Sequence, residues 1–196
     1  MRVKKWALLA ALAVLICTWL LVLATRVSTP CEDYEEKLRA AERTEACIRV
    51  VHDLKLEMDI PINTASDIND TGVIGQDYSV ITTTLGELEA KRTSTNPNMA
   101  AVVVDMFHEL GLQPGDKVAV NCSGSFPALN IAVMCAVDTL GLDPMLISSF
   151  GASTHGANDP ELTYLDMEHY LYEQGLLEHR SDYFSIGGME DMGKEM

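Results

Sequence analysis

The run Leu112–Pro144, "LQPGDKVAVNCSGSFPALNIAVMCAVDTLGLDP", decides what kind of fold this chain makes. It opens on a turn at Pro114-Gly115-Asp116 and continues as a short apolar run, Lys117–Asn121. A stretch of small polar residues follows, and Phe126 to Leu140 is then almost wholly apolar, closed by Gly141. The next run, "DPMLISSF", has the β-rich composition of a strand over Met145–Ser149. Strand, helix and strand in that order predict parallel neighbours joined by a right-handed crossover.

Working outward, "NDPELTYLDMEHYLYEQGLL" predicts a further helix, with Asn158 or Asp159 as its cap and Pro160 in the first turn. "DYFSIGG" reads as another strand. On the N-terminal side, Pro97–Leu110 reads as a helix stopped by Gly111, and Val80–Thr84 as a strand followed by a hydroxyl-rich turn. Residues 60–78 carry the Pro, Asn, Asp, Thr and Gly of a loop. From Cys31 to about Asp59, Tyr34, Leu38, Ala41, Ile48, Val51, Leu54 and Met58 recur at helical spacing, predicting an amphipathic helix that packs on the domain or pairs with another copy.

The first thirty residues stand apart. Arg2, Lys4 and Lys5 precede an uncharged run from Trp6 to Ala24. At 1.5 Å per residue that run spans about 28 Å, close to the thickness of a bilayer's hydrocarbon core. The basic bias predicts a single-pass cell-membrane anchor with a cytoplasmic N-terminus and the rest outside, although Val22-Leu23-Ala24 has the small residues of a cleavage site. The expected fold is therefore α/β: an N-terminal transmembrane helix (1–30), an amphipathic juxtamembrane helix (31–59), and a Rossmann-like, mostly parallel sheet with flanking helices (60–196). "SIGGMEDMGKEM" stops where a glycine turn should lead into another helix, so truncation at the C-terminus and a bare sheet face are expected.

Charge narrows the partners. The four basic residues before position 31 have no acid beside them, so residues 31–196 hold 10 Lys and Arg against 29 Asp and Glu, a net charge of −19. Such a surface repels nucleic acid. The five cysteines (Cys17, Cys31, Cys47, Cys122 and Cys135) match no zinc or redox spacing, and a disulfide framework is not expected. No metal site is predicted, and the sequence names no cofactor.

Residues at strand C-terminal ends line the crevice of an open parallel sheet. Two loops meet that condition: Asn121, Cys122, Ser123, Gly124 and Ser125 in one, and Ser148, Ser149, Ser153, Thr154, His155 and Asn158 in the other. Lys91 and Arg92 stand out against the acidic background and suit a phosphate or carboxylate. The motif is neither a P-loop nor a Gly-x-Ser-x-Gly elbow. Cys122 or Ser123 with His155 as base would be a nucleophilic pair lacking its orienting third member. Asp166, Glu168 and His169 point in different directions on a helix and read as a solvated face.

"TTTLGELEAKRTSTNPNMAA", "GDKVAVNCSGSFPALNIAV" and "LISSFGASTHGANDPELTYLDME" together resemble the poly-gamma-glutamate system protein family. That resemblance implies a membrane-anchored accessory component of bacterial poly-gamma-glutamate capsule or polymer synthesis and export. It implies as partners the membrane, the polymer or its precursors, and the synthesis and export subunits. Two classes of function stay open: a binding module working through the βα loops, or a glutamyl transferase or amide hydrolase using Cys122 or Ser123 with His155. A nucleotide-binding α/β domain is a third, from the βαβ rhythm of Leu112–Pro144.

Overall fold

The computed structural model describes residues 5–27 and 29–188. Arg2, Lys4 and the tail 189–196 lie outside the described residues. The chain divides into two compact units, Met1–Glu32 and Asp33–Met196. The first contains one helix, α1 (Lys5–Ala24), none of whose residues is buried. It is long and apolar enough to cross a membrane. Thr18 and Thr25 donate their hydroxyls to carbonyls of the preceding turn, Thr25 to Leu21 O at 2.8 Å, so neither needs water.

The second unit runs α2 (Tyr34–Glu57), α3 (Leu88–Ser94), α4 (Met99–Glu109), β1 (Lys117–Cys122), α5 (Pro127–Leu140), β2 (Asp143–Ser149), β3 (Asn158–Asp159), β4 (Leu162–Thr163), α6 (Tyr164–Glu173) and β5 (Tyr183–Ser185). Strands β1, β2 and β5 form a parallel sheet in that order. Lys117 pairs with Asp143 at one end of the register and Cys122 with Ser148 at the other, and Ile147 lies opposite Tyr183. Strands added successively in one direction by right-handed crossovers place their connecting helices on the same face. Burial agrees: Cys122, Leu146 and Ser148 are buried, whereas Ala119, Met145, Ile147 and Tyr183, one position out of phase, are exposed. This is a mixed helix/strand fold with a small parallel sheet, and among the described residues of this unit no helix covers its second face.

Pro127 opens α5 and Gly141, at φ 64°, closes it, the arrangement expected for a helix that must stop before a strand. Ile131, Met134 and Cys135 of α5 pack with α2 and α6 over Leu146, while Ala132, Ala136 and Val137 pack with α4 over Val118 and Val120. Helix α2 packs on its own domain. Its buried face is Ala40, Ala41, Thr44, Cys47, Ile48 and Val51, and Tyr34, Leu38 and Met58 from the predicted stripe are exposed. Close packing against the small residues of α5 selected small partners, which a hydropathy pattern ranks below leucine and tyrosine. Arg43 of α2 and Asp138 of α5 are joined at 3.2 Å, and Asp138 also takes His179 Nδ1 at 2.8 Å and Glu178 N at 2.9 Å.

Three expectations are corrected. Val80–Thr84 is not a strand of the sheet; Thr82 makes only an isolated bridge to Ala152. The hydroxyl-rich turn after it contains α3, because Leu88–Ser94 folds over the sheet's end. The helix expected to begin at Asn158 or Asp159 begins at Tyr164: Asn158–Asp159 and Leu162–Thr163 pair antiparallel around Pro160-Glu161. Thr163 is the cap, its N–H donating to Asp166 Oδ2 at 2.8 Å while its Oγ1 accepts from Asp166 N at 3.4 Å.

Candidate functional site

The β1–α5 and β2–β3 loops meet at the C-terminal end of the sheet, as their positions predicted. They meet too closely to leave a crevice. Ala157 N donates to Gly124 O at 2.7 Å and Ser153 N to Ser125 Oγ at 3.0 Å. A Cβ on Gly156 would stand 2.7 Å from Gly124 O, so glycine is what allows the two backbones to touch. Residues 75–86 then lie along the second loop: His155 N donates to Gln76 O at 2.9 Å, and Thr154 N to Thr84 O at 2.9 Å.

Most side chains predicted to hold a ligand are spent inside this junction. Asn158, fully buried, accepts from Gln76 N and donates to Gln76 O and Thr82 Oγ1. Thr154 Oγ1 accepts from Gly86 N at 2.8 Å. Ser148 turns inward to Ser181 and Glu168, and Ser149 is buried beside Gly151 O. Pro127 and Ala128, the first turn of α5, are buried as well. Only Asn121 and Ser123 of the predicted set are exposed, Asn121 on the same side of the sheet as Ile147, with Ser125 half-buried.

Lys91 and Arg92 are not free cations. Lys91 is 2% exposed; its Nζ donates to Ser125 O and to Ser153 Oγ at 2.7 Å and lies 3.7 Å from the centre of the Phe126 ring. None of these partners is a carboxylate, and burial pushes its ammonium down to about 8. It clasps α3 to both loops. Arg92 donates to Ser66 O and Ala65 O, each at 2.8 Å, and pairs with Glu89.

Of the two candidate nucleophiles, Ser123 is exposed and Cys122 is buried. Strand alternation turns Cys122 toward the helices, where it is 2% exposed. Its neighbours are Glu168, Tyr164 and Ser148, and burial, reinforced by Glu168, pushes the thiol up to about 11. A thiol so placed is a poor nucleophile. Tyr164, completely buried, is pushed well above its ordinary range by the same burial. Glu168, expected on a solvated face, is 2% exposed and accepts from Ser181 N at 2.9 Å and Ser181 Oγ at 3.0 Å. His155 sits in the left-handed region, φ 60°, and its Nδ1 faces Asp77 Oδ1 at 3.5 Å without a hydrogen bond. His155 and Cys122 thus have separate surroundings.

This chain matches no family model, no curated protein and no solved structure.

Three surfaces remain. A cleft of about 820 Å³ lies between α2, residues 69–71 and residues 92–97. Glu45, Asp53 and Asp70 outnumber Arg49 and Arg92 on its walls, so it does not suit a polyanion. Asp33, Glu36 and His108 bring one ligand atom each within 4.8 Å of the others, the one such group among the described residues. The 2.7 Å hydrogen bond from His108 to Glu36 accounts for their proximity without an ion. The third is the bare sheet face. Met145 is 57% exposed, Ile147 38% and Tyr183 60%. At its N-terminal end Lys117, Ala119, Asp143, Met145, Asp182 and Tyr183 line a groove of about 380 Å³.

Proposed function

We propose that this protein is a membrane-anchored accessory subunit of bacterial poly-gamma-glutamate capsule synthesis and export, acting by binding a partner subunit and not by catalysis. In this reading α1 is an uncleaved anchor with its N-terminus in the cytoplasm, and the second unit lies outside. The bare apolar sheet face carries the proposal. Parallel sheets are covered on both faces, and exposed apolar patches of this kind are protein-binding surfaces.

The occupant is a helical element of the partner. Helices cover parallel sheets, and the partner's apolar stripe would meet Met145, Ile147 and Tyr183, with Lys or Arg beside it for Asp143 and Asp182. The docked sheet would then be a complete Rossmann-like layer. Binding the polymer itself through the βα loops has less support, because the loops' donors are spent and residues 31–196 carry −19. The glutamyl transferase or hydrolase reading would use Ser123 with His155, since Cys122 is buried beside Tyr164 and Glu168.

The test is polymer output in producing cells whose only copy is full-length protein carrying Ile147→Asp or Met145→Asp, at equal membrane abundance. A loss of tenfold or more is expected, because a carboxylate buried under an apolar helix finds no partner. Normal output from both variants overturns the docking surface. Loss of output from Cys122→Ala, Ser123→Ala or His155→Ala, with the protein still abundant, replaces the binding reading with the enzymatic one.

A further inference from the structure

Cys47 of α2 and Cys135 of α5 face each other across the helix interface, their Sγ atoms 3.8 Å apart and both residues 0% exposed. They lie 88 positions apart and on different helices, so no spacing in the chain links them. A disulfide holds its sulfurs about 2.05 Å apart. At 3.8 Å the two sulfurs are in contact and must approach by about 1.8 Å to bond. The ion pair of Arg43 with Asp138, each about a turn from its cysteine, holds the two helices together beside them. The hydrogen bond from Cys47 holds the Cys135 thiol below its ordinary range, and Arg43 acts in the same direction. Cys122, the other buried thiol, has Tyr164, Ser148 and Glu168 around it and no cysteine.

We propose that Cys47 and Cys135 form a disulfide that staples α2 to α5 when the domain folds in an oxidising compartment. The inference rests on the outward placement of the domain given above. With a low-molecular-weight disulfide as oxidant, the Cys135 thiolate attacks one of its sulfurs and releases one thiolate. The Cys47 thiolate then attacks the mixed disulfide and releases the second. Two electrons pass to the oxidant, and its two thiolates take the two protons that the cysteines lose. In the folded protein both sulfurs are beyond the reach of solvent, so the bond resists reduction until the helices separate. Helix α2 is the first element of the domain after the apolar helix, and the staple holds it covalently to the helix that covers the sheet.

The experiment uses full-length protein in detergent, incubated in oxidised and reduced glutathione buffers with and without sub-denaturing urea. The sample is quenched in acid, alkylated in denaturant and digested for mass spectrometry. A cross-linked peptide pair containing Cys47 and Cys135 is expected, absent from Cys47→Ala, with Cys122 alkylated. Once formed, the bond should survive dithiothreitol until denaturant is added. Both thiols remaining alkylatable across the whole redox series overturns the pairing. A second sample is taken directly from acid-quenched cells. If the purified protein forms the bond but the cellular protein has both thiols free, the outward placement is overturned instead.

Discussion

Replacing Lys91 by methionine should remove most of one pH dependence from the stability of this domain. Lys91 is an ammonium enclosed by Ser125 O, Ser153 Oγ and the Phe126 ring, with its titration pushed from 10.5 to about 8 by burial. Below pH 8 the side chain is charged in the folded and unfolded states, and the burial penalty is present in full. Between pH 8 and 10.5 the folded state has lost the proton and the unfolded state keeps it, so the unfolded chain binds more protons and stability rises with pH. Each pH unit of that gap contributes about 1.4 kcal/mol, so the whole window contributes about 3 kcal/mol. Urea unfolding of the full-length protein in detergent, followed by circular dichroism at a series of pH values, measures it as wild type minus Lys91→Met. The buried Lys55, whose titration is also lowered, is common to both proteins and cancels. At neutral pH the two should differ little, because removing the penalty is offset by two acceptors left unpaired, each costing about 1–3 kcal/mol. A difference that stays flat from neutral pH to above 10 would show that Lys91 is hydrated, and the clasp would be wrong.

Other predictions test the neighbouring inferences. Thr163→Ala should cost about 1 kcal/mol in the same unfolding measurement, because it removes one half of the reciprocal cap with Asp166. Gly75→Ala should be far worse, since its Cβ would stand 1.9 Å from Gly156 O and 2.4 Å from Asn158 Oδ1; the loss of several kcal/mol would be read as a lowered urea midpoint. Met145→Asp, at a site 57% exposed, should change the unfolding free energy by less than about 1 kcal/mol in the isolated protein, so its loss of polymer output reports docking and not folding.

How much of this was legible beforehand differs by element. Leu112–Pro144 announces its strand–helix–strand order through local signals, the Pro-Gly turn, the apolar period and Gly141, and each of these acts within a few residues. α4 and the apolar α1 were readable for the same reason. β3 and β4 were missed because two residues make no period, and α3 was missed because a seven-residue helix held to the loops at the sheet's end owes its stability to tertiary contacts. The polar loops were correctly placed at the sheet's end, but proximity in a fold does not say whether a hydroxyl faces a ligand or another loop. Lys91 shows the difference. In the chain it is a lone cation beside Arg92, and in the fold it is sealed under Phe126. Nothing local to residue 91 marks that outcome.

By itself the sequence determined the apolar first helix, the acidic domain that follows it, and the parallel strand–helix order, because hydropathy and charge are sums over neighbouring residues. The facing thiols of Cys47 and Cys135, the burial of Lys91 and the joining of the two polar loops were decided only by tertiary structure. Each depends on which side chains the packed helices and crossovers bring together from distant parts of the chain.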